Sequence, residues 1–319
     1  MKKYLTGVFM VLVLIACKKE DKVAKEVDKI PVKVEIERFD KVFYESPVSD
    51  FPKIKREFHY FFPAGNPDSV WTNRMQNPLN RELYAEVKKK YPNNNAFEGD
   101  LVDLFKHIQY YFPQYKTPKV VTLVSEMDYE NKAIFADSLV IISLDMYLGK
   151  DNPLYEFPQY YKQNFEPSQM MPDIVASLAT KEIKTTDDRS LLAQMIYFGK
   201  ELYMKDLLLP DMSDADKIAY TEEQLKWCEE NESEMWKYLV NEKLLYDTNP
   251  KLTQRFISTA PFSKFYLEID AESPGRVGTW LGWQIVRSYM KNNPDVNLQQ
   301  LLVKDAKEIF DNSKYKPKK

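Results

Sequence analysis

The sequence predicts an α+β fold, predominantly helical with a small β-sheet. Three observations predict it. Two short runs, Lys119 to Ser125 and Ser138 to Ser143, are rich in Val and Ile and suit strands. Apolar residues recur at helical spacing through several longer segments. Helix-capping patterns recur after residue 170.

The elements follow in order. Val34-Glu35-Ile36-Glu37 alternates like a short strand. Residues 78–90 and 98–112 read as helices. In the second, Leu101, Leu104, Phe105, Ile108 and Phe112 fall on one stripe. Ile134-Phe135 is a shorter apolar piece between the two main strands, and the segment around Asp128 to Asn131 reads as a turn. Pro172 suits the first turn of a helix over 172–183. Another helix runs from Ser190 to about Leu208. Thr221-Glu222-Glu223-Gln224 has capping-box form and opens a helix to about residue 244. A helix from Gly275 to Lys291 follows Ser273-Pro274. Asn297 with Gln300 offers a further cap, for a helix to about Phe310.

The first seventeen residues are the most specific signal. Lys2 and Lys3 precede an apolar run, and Leu14-Ile15-Ala16 leads straight into Cys17. The run is too short to span a bilayer, which takes ~20 residues. It reads as a lipoprotein signal over residues 1–16, removed so that Cys17 becomes the acylated first residue. A diacylglycerol on the thiol and a palmitate-class chain on the amine would anchor stably where one chain would not. Residues 18–33 are charged and low in aromatics, so 17–33 reads as lipidated Cys17 plus a tether. Sixteen such residues reach at most about 55 Å. Residues 34–319 are expected to form a single globular domain.

Removing Lys2 and Lys3 leaves 43 basic against 48 acidic residues, a net charge of −5. No long basic stripe remains, which argues against nucleic acid as a partner. The basic tail, Lys314 to Lys319, reads as a solvated end. With Cys17 acylated, Cys228 is left alone, so no internal disulfide is expected. Its neighbour is Trp227, and it reads as a small buried hydrophobe. The 21 Tyr and 18 Phe point to a large core with half-buried rings.

Candidate chemistry is sparse. The two histidines, His59 and His107, lie on separate elements, and neither has a Glu placed for a helical zinc motif. There is no GxSxG and no GxGxxG after a strand; Gly199-Lys200 lacks the rest of a phosphate loop. Asp211 to Asp216 is acidic like a calcium loop but lacks its central Gly and final Glu, so it reads as helix-capping. Asp270 and Glu272 are the first suspects for paired carboxylates, just before a helix start where negative charge is favoured anyway. No cofactor or metal is expected. Gly275, Gly278 and Gly282 share one helix face, which points to close backbone packing. The alternative there is an anion site at the helix start, assisted by Arg276. Trp280 and Trp283 flank that face as core or partner anchors.

Several long segments carry a resemblance. The lipobox ending at Cys17, IERFDKVFYE (36–45), DMYLGKDNPLY (145–155), MIYFGKELY (195–203), the segment 261–290 and the ending SKYKP (313–317) together resemble the gliding-motility lipoprotein GldB family of the Bacteroidetes. The resemblance implies a cell-envelope lipoprotein required for gliding and linked to type IX protein secretion. It implies no biochemical action. Cys17 is the functional residue it carries over. The order of elements is also similar to predicted zinc-dependent peptidases. Such enzymes would have HExxH where this chain reads MPDIVASLATKEI (171–183), with Glu182 and no histidine. Zinc lacking two ligands neither binds well nor activates water, so a scaffold of this zincin-like kind would be degenerate.

Two functions follow as expectations. One is a lipid-anchored, non-enzymatic envelope component that acts through contacts with other gliding and secretion proteins. The other is an envelope hydrolase or peptidase on a zincin-like scaffold with a non-standard site. Lys18 in place of Asp favours the outer membrane, facing the periplasm. The acidic pair Glu20-Asp21 leaves the cell surface as the other location.

Overall fold

The computed structural model describes residues 22–268 and 270–318. The expected signal over residues 1–16, Cys17 and the first residues of the tether lie outside them. From residue 22 the charged segment is more than a tether: residues 22–28 form a short helix, α1, that buries Val27, and Val32 and Val34 reach the core.

Strand β1 (Glu35–Arg38) comes first, followed by helices α2 (Phe39–Glu45), α3 (Phe51–Glu57), α4 (Asp68–Gln76), α5 (Pro78–Lys90) and α6 (Glu98–Tyr111). Strands β2 (Lys119–Leu123), β3 (Ala133–Ala136) and β4 (Leu139–Ser143) complete a four-stranded sheet in the order β1-β2-β4-β3. β1, β2 and β4 are parallel, and β3 runs antiparallel to β4 as the first arm of a hairpin. The rest is helical: α7 (Gln159–Lys162), α8 (Met170–Glu182), α9 (Leu191–Leu208), α10 (Asp214–Ile218), α11 (Glu222–Glu230), α12 (Glu232–Asn241), α13 (Lys251–Phe256), α14 (Val277–Asn292), α15 (Leu298–Val303) and α16 (Ala306–Ser313). The chain is thus predominantly helical α+β, as the sequence predicts.

The sheet separates two apolar clusters. Side chains alternate along a strand, so Val120 and Val121 of β2 point to opposite faces. Val120, Val140, Ile142 and Phe135 join the large cluster with α6, α8, α9 and α14. Val121 joins a smaller aromatic cluster built on Phe39, Phe43, Phe51, Phe58 and Phe62. α8 packs along β3, and its Ser177 Oγ accepts the Phe135 N–H at 2.8 Å, which covers part of that sheet edge.

α9 and α14 cross very closely. A Cβ on Gly282 would sit 1.8 Å from the Met195 carbonyl oxygen, and one on Gly199 would sit 2.4 Å from the Gly282 carbonyl oxygen. No side chain fits there. The glycine face of residues 275–282 is therefore a packing face, and Trp280 and Trp283 are core residues.

Three expected helices change length. The helix expected from Thr221 to about 244 breaks at Asn231, whose Nδ2 donates to the Trp227 carbonyl at 2.8 Å. The helix expected from Asn297 to about Phe310 breaks where Lys304 turns extended, and Asp305 caps the next helix by accepting from Lys307 N and Glu308 N. The break is held by Lys200, whose Nζ donates to the Leu302 and Lys304 carbonyls at 3.2 and 2.7 Å. α14 starts at Val277 rather than Gly275, because Arg276 is left-handed at φ 65°.

Candidate functional site

The parallel strands end together, and their carboxyl ends open into a crevice. β1 runs into Phe39 and Asp40, β2 into Val124, Ser125 and Glu126, and β4 supplies Ile141 and Ser143. Helices α2 and α4 bring Phe43, Tyr44, Trp71 and Arg74 to the opposite wall, and Ile134 of β3 stands at the mouth. The cavity is about 300 Å³. Pockets of this size and mainly apolar lining are ordinary small binding sites.

Its rings are fixed by one another. Phe39 lies 5.2 Å from Phe43 and 4.7 Å from Phe61, centroid to centroid. Phe62 meets Trp71 edge-on at 5.0 Å. The Arg74 guanidinium lies 5.1 Å from the Trp71 centroid, while its Nε pairs with Glu126 at 3.1 Å. Among the described residues, the Trp71 indole nitrogen is buried with no hydrogen-bond partner. At the floor, Arg38 donates twice to the fully buried Asp40, at 2.9 and 2.6 Å, and Thr122 Oγ1 donates to it at 2.5 Å. That carboxylate is thus paired and bonded on both oxygens within the fold.

The lip between β2 and β3 is shaped by Asp145, which is fully buried. Its carboxylate accepts the Ser125 and Met127 amides, each at 2.8 Å, and the Ser125 hydroxyl at 3.2 Å. Burial pushes its carboxyl up to about 6, against the pull of the two amides. Between those amides the chain passes through two consecutive left-handed residues, Glu126 (φ 64°) and Met127 (φ 63°). Neither is glycine, so the turn is strained, and Asp145 holds it. This turn is why β2 stops at Leu123 rather than Ser125. Asp128 then closes the expected turn by accepting the Glu130 and Asn131 amides.

The residues singled out in the sequence lie elsewhere. His59 is exposed, and His107 Nδ1 lies 2.9 Å from its own helix's Asp103 carbonyl. Asp270 accepts the Phe265 and Tyr266 amides and so clasps a loop, while Glu272 is exposed. The acidic run 211–216 caps α10 through Ser213, and Asp214 joins Asp206 around Arg287, with contacts from 2.6 Å. Trp283 Nε1 donates to the same Asp206 at 2.9 Å. Arg276 donates from Nη1 to the Ile218 carbonyl at 3.0 Å, which ties it to the end of α10. Glu182 accepts the Tyr115 hydroxyl at 2.5 Å. Cys228 is buried, and burial raises its thiol. Among the described residues, no group of three or more His, Cys, Asp and Glu side chains is placed to hold a metal ion.

A family model described as gliding motility protein GldB matches residues 20–317. The chain belongs to the GldB family. Membership ties it to gliding motility and, as a lipoprotein family, to the cell envelope. Among the described residues, no helix is long and apolar enough to cross a membrane. No curated protein and no solved structure matches the chain. The similarity to zinc-dependent peptidases therefore gains no support here.

The GldB-like segments converge in space. IERFDKVFYE supplies Phe39, Asp40, Phe43 and Tyr44 to the crevice, and DMYLGKDNPLY supplies the Asp145 that shapes its lip. MIYFGKELY and the 261–290 segment meet at the α9–α14 crossing. Trp71, Arg74, Glu126 and Ile134 carried no motif that marked them in the sequence.

Proposed function

We propose that this GldB-family chain is a lipid-anchored, non-enzymatic envelope component that serves gliding and the associated type IX secretion through contacts with other proteins of that apparatus. Acylated Cys17 would hold it at the outer membrane, facing the periplasm. The observation that carries the contact reading is how the polar side chains are spent. Asp40, Asp145, Asp270, Asp206 and Glu182 each accept hydrogen bonds that build the fold. The aromatic crevice, by contrast, offers a concave surface for a partner.

The test is a clean deletion complemented with wild type and with Cys17→Ala. Cell movement on glass and secreted adhesins are scored together. The expected result is loss of both, restored by the acylatable form alone. Normal movement in the deletion strain would overturn the reading. Purified chain carrying an equivalent of zinc, lost together with a hydrolytic activity on chelation, would favour an enzyme instead.

A further inference from the structure

From the contact reading above, we infer that the crevice at the carboxyl ends of β1, β2 and β4 takes one bulky apolar side chain of a partner polypeptide, next to a basic residue. The cavity is of the size that one or two large side chains fill. Its wall is made of Phe39, Phe43, Tyr44, Trp71 and Ile141, so it rewards an apolar occupant.

The lip decides between occupants. Glu126 and Asp128 stand there against Arg74, an excess of one negative charge. Asp128 is turned into its own loop, and one Glu126 oxygen serves Arg74 and Asn80, at 3.1 Å each. The other Glu126 oxygen has no partner among the described hydrogen bonds and ion pairs. The lip thus offers a guanidinium donor, a carboxylate acceptor and a net negative field. A peptide brings a carbonyl and an amide on either side of each side chain, and a neighbouring Lys or Arg would meet the excess charge. An acyl chain would desolvate the same groups without answering them. The strained turn at Glu126 and Met127 forms this lip, and Asp145 holds it in shape before the partner arrives.

The mature acylated chain in lipid nanodiscs is titrated with N-acetyl-phenylalanyl-lysine amide, followed by saturation-transfer NMR. The alanyl-lysine and phenylalanyl-glutamate amides serve as comparisons. The phenylalanyl-lysine peptide should bind at least about tenfold more tightly than the alanyl peptide. It should also bind several-fold more tightly than the glutamate peptide, by a margin that shrinks with salt. Ile134→Arg should abolish binding, and Glu126→Gln should remove the lysine preference while keeping the phenylalanine preference. Ile134 is 36% exposed, so its replacement tests the mouth rather than the core. Equal binding of the phenylalanyl and alanyl peptides, or of neither, overturns the inference. So does preferential binding of a fatty acid or an oligosaccharide in the same assay. Motility of cells carrying Ile134→Arg is scored separately, so that failure of the contact reading is distinguished from failure of the peptide pocket.

Discussion

At the scale of single residues, Asp145 has the clearest measurable signature. Burial pushes its carboxyl up to about 6, above the ordinary aspartate value of 3.8. The folded state therefore holds more protons than the unfolded state between those two values. Stability contributed through this group falls as pH rises through that window and is level above it. Wild type should lose on the order of 2 kcal/mol relative to Asp145→Asn between about pH 4 and pH 7. Parallel pH profiles from denaturant melts of the two proteins would remove this account of Asp145. Nothing local in the sequence singles it out. Its partners, the amides of Ser125 and Met127, lie about twenty residues away, and only the β2–β4 pairing brings them together. Asp270 teaches the converse. A carboxylate before a helix looks like a catalytic candidate in sequence, and it is spent on two loop amides.

At the scale of elements, the α9–α14 crossing concentrates the packing. Gly282→Ala would drive a methyl into the Met195 carbonyl, so one backbone must move. The expected cost is roughly 1–3 kcal/mol or more, against a gain of under about 1 kcal/mol from better helix propensity. A melting temperature equal to or above wild type would refute the crossing geometry. The glycine spacing was legible because glycines repeating at helical spacing rarely persist without a packing reason. The partner helix was not, since Gly199 carries no periodic mark. Helix ends behaved similarly. Thr221 and Asn297 cap where the sequence places caps, and Ser190 caps the helix expected to start there, because that chemistry is local. The breaks at Asn231 and Lys304 escaped it. The second is held by Lys200, about a hundred residues away.

At the scale of the whole molecule, stability comes from packing on both sides of the sheet. Cys228 is free and fully buried, and no disulfide joins the described residues. The melting temperature of the acylated chain should therefore be the same with and without reductant. A drop of more than a few degrees on reduction would reveal a cross-link that the fold does not provide for. The largest cluster draws on α6, α8, α9, α14, α15 and three strands, and the smaller aromatic cluster on α2 and α3. The crevice lies beside this second cluster, where chain from residue 39 meets chain from residue 124.

The sequence by itself determined the fold class, the family, most strands and the caps at Thr221 and Asn297. Each of these is written in a few adjacent residues or in a short period. Only the tertiary structure decided what the chemistry-bearing residues do. The helices α2 and α4 are too short to leave a clear periodic pattern, and they carry one wall of the crevice. Its opposite wall, its strained lip and the carboxylate that holds that lip come from strands paired across the sheet. Contacts between residues twenty to a hundred apart depend on how elements pack, and local propensity carries no record of them.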